Sequence, residues 1–507
     1  MLRGSAGCFT VFVGALAMGQ GFNRRYDAFY QQRPQDAWGI ERTAQGYTVI
    51  SGSYDADSIS PDSSFFHVTT LFTFLDGSGT KLSEHRNFRA WRGTFPGWAN
   101  CCDTVPGGGY AVGGGVQSID QVNEICLQRI SPQGDTLWTR VFGGPNQYWI
   151  GRQVKRTPDG GFLIVGDTDA NGNVDAFALK TDSLGNEQWR ETYSGGSLSD
   201  YFLAVDLAAD GDLFLGGQRR LTANDRDFWV HRVDSTGTTE WQRSWGGAFD
   251  EFSGHLVSLA DGHVLVASGW CYSNNSDTYR PYLAKLDSAN GQTLWEREYG
   301  HIAFTTTFFA AKERPNGDII ACGVSYAGGN QQGLLLRTTS QGDSIWMRTY
   351  YYQDTLITTG QGRFYDVLPT PDGGFIAAGS AYNPAGAPYP PGYSQDTWVV
   401  KVDSMGCIVP GCDGVGVQEL VTNLGGALSV FPNPAHGSTT VQVQLPASMQ
   451  RSGLRLVLVN AQGQVVLEQA AQDGANTLDL SALSGGLYYV HLASGTTWLS
   501  GTKLILE

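Results

Sequence analysis

An all-β fold is predicted by three observations: 67 glycines in 507 residues, aromatic residues at 12% against only 16% charged, and a unit of turns and apolar runs that recurs along most of the chain. Short strands joined by tight turns explain this composition better than helices do. The length leaves room for two unequal domains. A formal net charge of −15 opposes polyanions, because sequence-independent nucleic-acid binding needs Lys and Arg to neutralise phosphates. Nucleic acid is therefore not expected as a partner.

Residues 1–19 read as a signal peptide. Arg3 supplies a positive start, Cys8 to Met18 is apolar but too short to span a bilayer, and Ala15-Leu16-Ala17 and Ala17-Met18-Gly19 offer small-x-small cleavage sites. No later stretch reads as a transmembrane segment. Beyond Cys8 the cysteines are odd in number, in a compartment that permits disulfides. Cys407 and Cys412 flank a short turn-rich segment and are the expected disulfide. Cys101, Cys102 and Cys126 admit several pairings, whereas Cys271 and Cys322 read as small buried hydrophobes.

Residues 20–413 carry the repeat. Its first landmark is a turn residue opening an apolar run, at Gly46-Tyr47, Gly109-Tyr110, Gly161-Phe162, Asp212-Leu213, His263-Val264, Asp318-Ile319 and Gly374-Phe375. Its second is a strand that runs into Asp-Ser-x-Gly or a variant, as at Asp182, Asp234 and Asp403. The third is W-x-R-x-aromatic, clear at Trp138, Trp241, Trp295 and Trp346, with Trp189 lacking the arginine and Glu84 standing where the first repeat needs tryptophan. Each unit is a small antiparallel sheet of about four strands in roughly 50 residues, too small to bury both faces alone, so neighbours must stack in a ring or a linear array.

The ends of the array favour the ring. After Asp403-Ser404-Met405-Gly406 the seventh unit has no W-x-R strand, and Phe22-Asn23-Arg24-Arg25-Tyr26 supplies that pattern just after the signal peptide. Pairing the first segment with the last removes two exposed sheet edges. The expectation is a seven-bladed β-propeller closed by an N-terminal strand. These repeats resemble the propeller repeats of exported Bacteroidota proteins and, more distantly, the tryptophan-bearing repeats of quinone-dependent enzymes; the resemblance implies a fold and very little about function.

Residues 414–427 form a Gly-rich linker, and residues 428–507 shift to short Val-, Leu- and Thr-rich strands that suggest a small Ig-like β-sandwich. Val430-Phe431-Pro432-Asn433-Pro434, Asn460-Ala461-Gln462-Gly463, Ser484-Gly485-Gly486-Leu487-Tyr488 and Lys503 resemble, in order and spacing, the type IX secretion C-terminal sorting domain. That resemblance implies type IX secretion machinery and a sortase-like peptidase as partners, cleavage in the linker, and a secreted or cell-surface destination reached through the periplasm.

Chemistry-bearing motifs are few. Asp167, Asp169, Asn171, Asn173 and Asp175 fit D-x-D-x-N-G-x-x-D, an oxygen-rich spacing suited to calcium; the competing reading is a hairpin capped by Asx turns. The repeated tryptophans suit packing between sheets better than a carbohydrate platform. The arginines two residues later are expected to pair with turn carboxylates. Cys101-Cys102 invites comparison with the vicinal disulfide of quinone-dependent alcohol dehydrogenases, but no matching acidic set accompanies it. His67, His231 and His255 show no ligand-like spacing. Loops such as Trp270 to Arg280 and Tyr382 to Tyr393 are the expected binding surface. The reading is a binding or scaffold module with a glycan or protein ligand rather than an enzyme; the alternative is an extracellular polysaccharide hydrolase or lyase.

Overall fold

The computed structural model describes residues 21–26, 35–55, 67–87, 93–117, 123–144, 147–196, 198–273, 278–300, 305–326, 330–352, 361–382, 395–409, 428–445, 453–460, 464–494 and 497–507. The signal peptide, Cys412, the 414–427 linker and the 383–394 loop lie outside them.

The described residues are all-β, with no helix among them. Sheet I runs from Gln35–Arg42 to Lys81–Asn87, sheet III from Trp149–Arg156 to Glu187–Tyr193, and sheet IV from Asp200–Leu207 to Thr239–Trp245. Sheet V spans Phe252–Ser258 to Thr293–Glu298, and sheet VI Thr306–Glu313 to Ser344–Tyr350. These five are four-stranded antiparallel meanders. In sheet II the first strand is split into Gly93–Pro96 and Cys102–Thr104, both paired with Tyr110–Gln117. Sheet VII takes three strands from Gln361–Pro369 to Gln395–Val402, and its fourth is Phe22–Tyr26, registered Phe22 opposite Lys401 through Tyr26 opposite Thr397.

Central strands such as Phe162–Thr168 and Asp175–Thr181 are buried along their whole length, while the outer strand Glu187–Tyr193 is half exposed. Burial on both faces means each sheet is covered by neighbours. First strands lie side by side in a cyclic succession: sheet I against II, II against III, and onward to VII against I.

The repeat motifs explain how neighbours join. In the Asp-Ser-x-Gly turns the aspartate is spent locally; Asp182 Oδ1 accepts from the backbone N–H of Leu184 and Asn186, both at 2.8 Å. The turn glycine then receives the tryptophan of the preceding sheet. Gly237 has φ +86° and a Cβ there would lie 2.9 Å from the Trp189 ring, so glycine is required by backbone and by space. Trp189 Nε1 donates to Ser235 O at 3.0 Å and Tyr193 Oη to Gly237 O at 2.7 Å. Trp346 and Tyr350 repeat the clasp on Ser404 and Gly406 at 3.0 and 2.6 Å. Two of the arginines bond turn carbonyls where carboxylates were expected, Arg243 to Gly291 O at 2.6 Å and Arg348 to Met405 O at 2.8 Å.

The N-terminal strand makes the same clasp on sheet I. Phe22 packs where a Cβ of Gly79 would be, Arg24 donates to Gly79 O at 2.9 Å, and Tyr26 Oη donates to that carbonyl at 2.6 Å.

Residues 428–507 form two antiparallel ladders joined at one parallel pair, Ala435 with Leu506. Both contribute to one core, including Val441, Val443, Leu456, Leu458, Leu478, Val490, Leu492 and Leu504. The outer side of the longer ladder, at Val457, Val459 and Ala493, packs on Met405 and Cys407. Cys407 is disulfide-bonded.

Candidate functional site

First strands are edge strands, so their inward N–H groups need partners that no ladder provides. Polar side chains on neighbouring sheets supply them. Asp366 Oδ2 accepts from Ile40 N at 3.0 Å, Gln153 Oε1 from Val205 N at 2.6 Å, Asp103 Oδ2 from Arg156 N at 2.8 Å and Asp206 Oδ2 from Ser258 N at 2.8 Å. Lys155 Nζ stands 3.0 Å from Asp206. These four side chains thus cap edge N–H groups of neighbouring first strands.

Burial pushes the Glu41 carboxyl up to about 8 from an ordinary 4.5, with Lys312 opposing and Asp366 and Asp103 adding to the rise. An acid whose folded value lies above its unfolded one contributes stability that is complete below the unfolded value and is lost as pH rises toward the folded value. Glu41→Gln is expected to flatten the fall in melting temperature between pH 4.5 and 8; an unchanged slope would contradict this. Burial pushes His231 the other way, to about 3, so its contribution is complete above the unfolded value near 6.5 and declines as pH falls from there.

Above the polar layer lies an aromatic one. A register shift in the first strand leaves one extra residue per sheet: Trp38 in I, Arg152 in III, Phe309 in VI and Tyr365 in VII. Bulges re-aim side chains in this way. In sheet II the irregularity is larger: between Pro96, opposite Gly114, and Cys102, opposite Val112, five residues face Gly113 alone. This loop reaches across to other sheets. Trp98 N donates to Arg152 O and Asn100 N to Trp38 O, both at 2.7 Å, while the Asn100 side chain meets His255 Nε2 and Lys312 Nζ, each at 3.0 Å. Ring centroids of Trp38 and Trp98 are 5.2 Å apart, of Trp38 and Tyr365 4.1 Å, and of Phe309 and Tyr365 5.1 Å.

Beside this loop opens a cavity of about 350 Å³, walled by Asp36, Trp38, Phe95, Trp98, Asn123 and Arg152 among others. Arg152 is fixed by Asp167, Nε to Oδ1 at 2.7 Å and Nη2 to Oδ2 at 3.3 Å. Asp36 differs: its Oδ1 is buried and accepts no hydrogen bond among the described residues, and burial raises its carboxyl above the usual range, opposed by Ser380 and Arg363.

The sequence-predicted calcium residues occupy the neighbouring hairpin. Thr168 lies opposite Asp175, and Gly172 turns the loop with φ +83°. Asp169 Oδ1 accepts from Tyr148 N at 2.7 Å, Asn171 Nδ2 donates to Asp175 Oδ2 at 3.1 Å and Asn173 Nδ2 to Leu198 O at 2.8 Å. Asp167 is held by Arg152, Asn171 bonds Asp175 within the set and Asn173 reaches Leu198 O, bonds of the kind an Asx-capped hairpin makes. Melting with and without chelator is expected to give one midpoint; a rise with calcium would restore the ion.

Other predicted positions scatter. Cys101, Cys102, Cys271 and Cys322 are buried thiols. His231 packs against Trp229 with ring centroids 4.3 Å apart, and His255 lies in the polar layer. Sequence reasoning missed the Gly97–Asn100 loop, Asp36 and the capping residues. The available signal was Trp98, a tryptophan outside the W-x-R register.

Residues 429–507 match the secretion system C-terminal sorting domain. The protein therefore carries a type IX sorting domain and is exported to the cell surface or secreted. No curated protein matches the sequence significantly. Similar solved structures include PorZ, a surface component of the type IX secretion system of Porphyromonas gingivalis, at 10% identity over 93% of this chain and 75% of that one, TM-score 0.32. A protein of unknown function from Dyadobacter fermentans is 9% identical over 75% and 97%, TM-score 0.38. Quinohemoprotein alcohol dehydrogenase from Comamonas testosteroni is 12% identical over 91% and 80%, TM-score 0.36. Scores this low carry no argument for fold or function.

Proposed function

We propose that this exported chain is a seven-bladed β-propeller, closed by Phe22–Tyr26 and followed by its sorting domain, that serves as a binding module with its ligand seated in the cavity at Asp36, Trp38 and Trp98. The clasp of Phe22, Arg24 and Tyr26 on Gly79 carries the ring reading, since it repeats the contact made between consecutive sheets elsewhere. The Trp98 loop, tied to Arg152 O and Trp38 O, fixes one wall of the cavity, which suits ligand capture there.

Residues 1–19 act as the signal peptide in this reading, 414–427 as the linker, and Cys407 pairs with Cys412. Type IX machinery moves the folded protein, and a sortase-like peptidase cleaves the linker. Binding is favoured over hydrolysis because polysaccharide cleavage by paired carboxylates needs two acids flanking one bond; Asp36 is the one carboxylate in the described cavity wall. The test is to offer the purified mature protein an array of surface glycans and proteins and to assay the same glycans for new reducing ends. Retention without cleavage is expected; released fragments would establish the hydrolase or lyase alternative.

A further inference from the structure

We propose that the cavity beside Trp98 takes the neutral terminal sugar of a glycan, with its apolar face against the Trp38 and Trp98 rings and a hydroxyl hydrogen-bonded to the Asp36 carboxyl. This rests on the cavity being the ligand site and names the ligand class. A cavity of about 350 Å³ lies at the small end of ligand sites, about 300–1,000 Å³, which suits an end sugar and not a chain segment threaded through.

The wall chemistry selects among small ligands. The Asp36 carboxyl in the wall, raised by burial, accepts a hydrogen bond when ionised and also donates one when protonated, so a hydroxyl, which does both, fits either state. Trp38 and Trp98 are tilted by 35° and, with Phe95 and Pro96, give the site a largely apolar surface. An ammonium ligand would also suit indole faces and a carboxylate. Arg152 in the wall and Arg363 within electrostatic reach of Asp36 oppose it. An acidic sugar would meet Asp36 itself. A neutral polyhydroxylated ring suits this wall: a hydroxyl bonds the Asp36 carboxyl, while Asn123 and the outer N–H groups of Arg152 can bond its oxygens.

The test titrates the mature protein by tryptophan fluorescence against three probes: neutral oligosaccharides ending in hexose or N-acetylhexosamine, the same sugars ending in a uronic acid, and a lysine-rich peptide. Neutral sugars are expected to bind, and Asp36→Asn and Trp98→Ala each to weaken binding about tenfold, through a lost hydrogen bond and a lost ring contact respectively. Asp36→Asn preserves shape, so the result survives if Trp98→Ala fails to fold. Binding of only the acidic sugar or the peptide, sensitive to the same variants, would overturn the neutral-sugar assignment and leave the cavity as the ligand site. Neutral-sugar binding that ignores both variants would overturn the cavity itself. A folded protein that binds none of the probes overturns the sugar assignment, and the broader array then decides whether the cavity has a ligand.

Discussion

Mature protein lacking Phe22–Tyr26 is expected to melt more than about 10 °C below the intact form, on the scale of ~2–4 °C per kcal/mol for domains of 150–250 residues. The deletion removes five cross-strand pairs with Gln395–Val402 and uncovers that strand as an edge. It also removes Phe22 and Tyr26, each 7% exposed, and the Asn23 side chain, which bonds Tyr351 O and the Trp398 indole. Phe22→Ala alone should cost about 3–5 kcal/mol, as large-to-small core substitutions of aromatics do. Calorimetry checks both; a midpoint within a degree of the intact protein would mean the strand is not part of the fold.

Removing Thr497–Leu506 is expected to abolish export, with the protein retained inside the cell envelope. This strand pairs with Gly486–Ser494 along most of its length and brings Leu499, Leu504 and Leu506 into the shared core. The Pro-Asn-Pro segment is tied to it: Asn433 Nδ2 donates to Lys503 O at 2.8 Å, and Asn433 Oδ1 accepts from Ile505 N at 2.9 Å. The motif residues thus fasten the last strand, and without that strand the sorting domain has an open core. Cell fractionation reads the result; unchanged surface or medium levels would contradict it. Asn433→Ala, which removes two hydrogen bonds and no core volume, should give a partial loss.

Features set by local chemistry could be read from the sequence. Turn glycines and aspartates announce themselves by spacing, and Phe22 to Tyr26 was recognisable as the missing strand because its aromatic-x-Arg-x-aromatic pattern matches the register of Trp346 to Tyr350. The sorting domain was equally visible, its motifs being fixed in order. The cavity was not. Asp36, Trp98 and Arg152 belong to three sheets, and what brings them together is a register shift in each first strand, which leaves no mark in an apolar pattern. Glu41, Lys155, Asp206 and Lys312 sit in or at the ends of strand-like runs; that Asp206 caps the Ser258 N–H and pairs with Lys155 follows only once the first strands are side by side. The arginines misled for a related reason. Spacing places them near the turns, but which turn oxygen each one meets, as Arg243 meets Gly291 O and Arg348 meets Met405 O, is set by the packing of one sheet on the next.

Hydrogen exchange tests the central claim, a ring closed through its first strand, most directly. If Phe22–Tyr26 completes the seventh sheet, its amides that bond to Gln395–Val402 should exchange as slowly as those in the outer strand Ser344–Tyr350, opening only with the sheets they join. Exchange of the Phe22–Tyr26 amides at the rate of an unstructured segment, with Ser344–Tyr350 still protected, would show an open array and contradict the account.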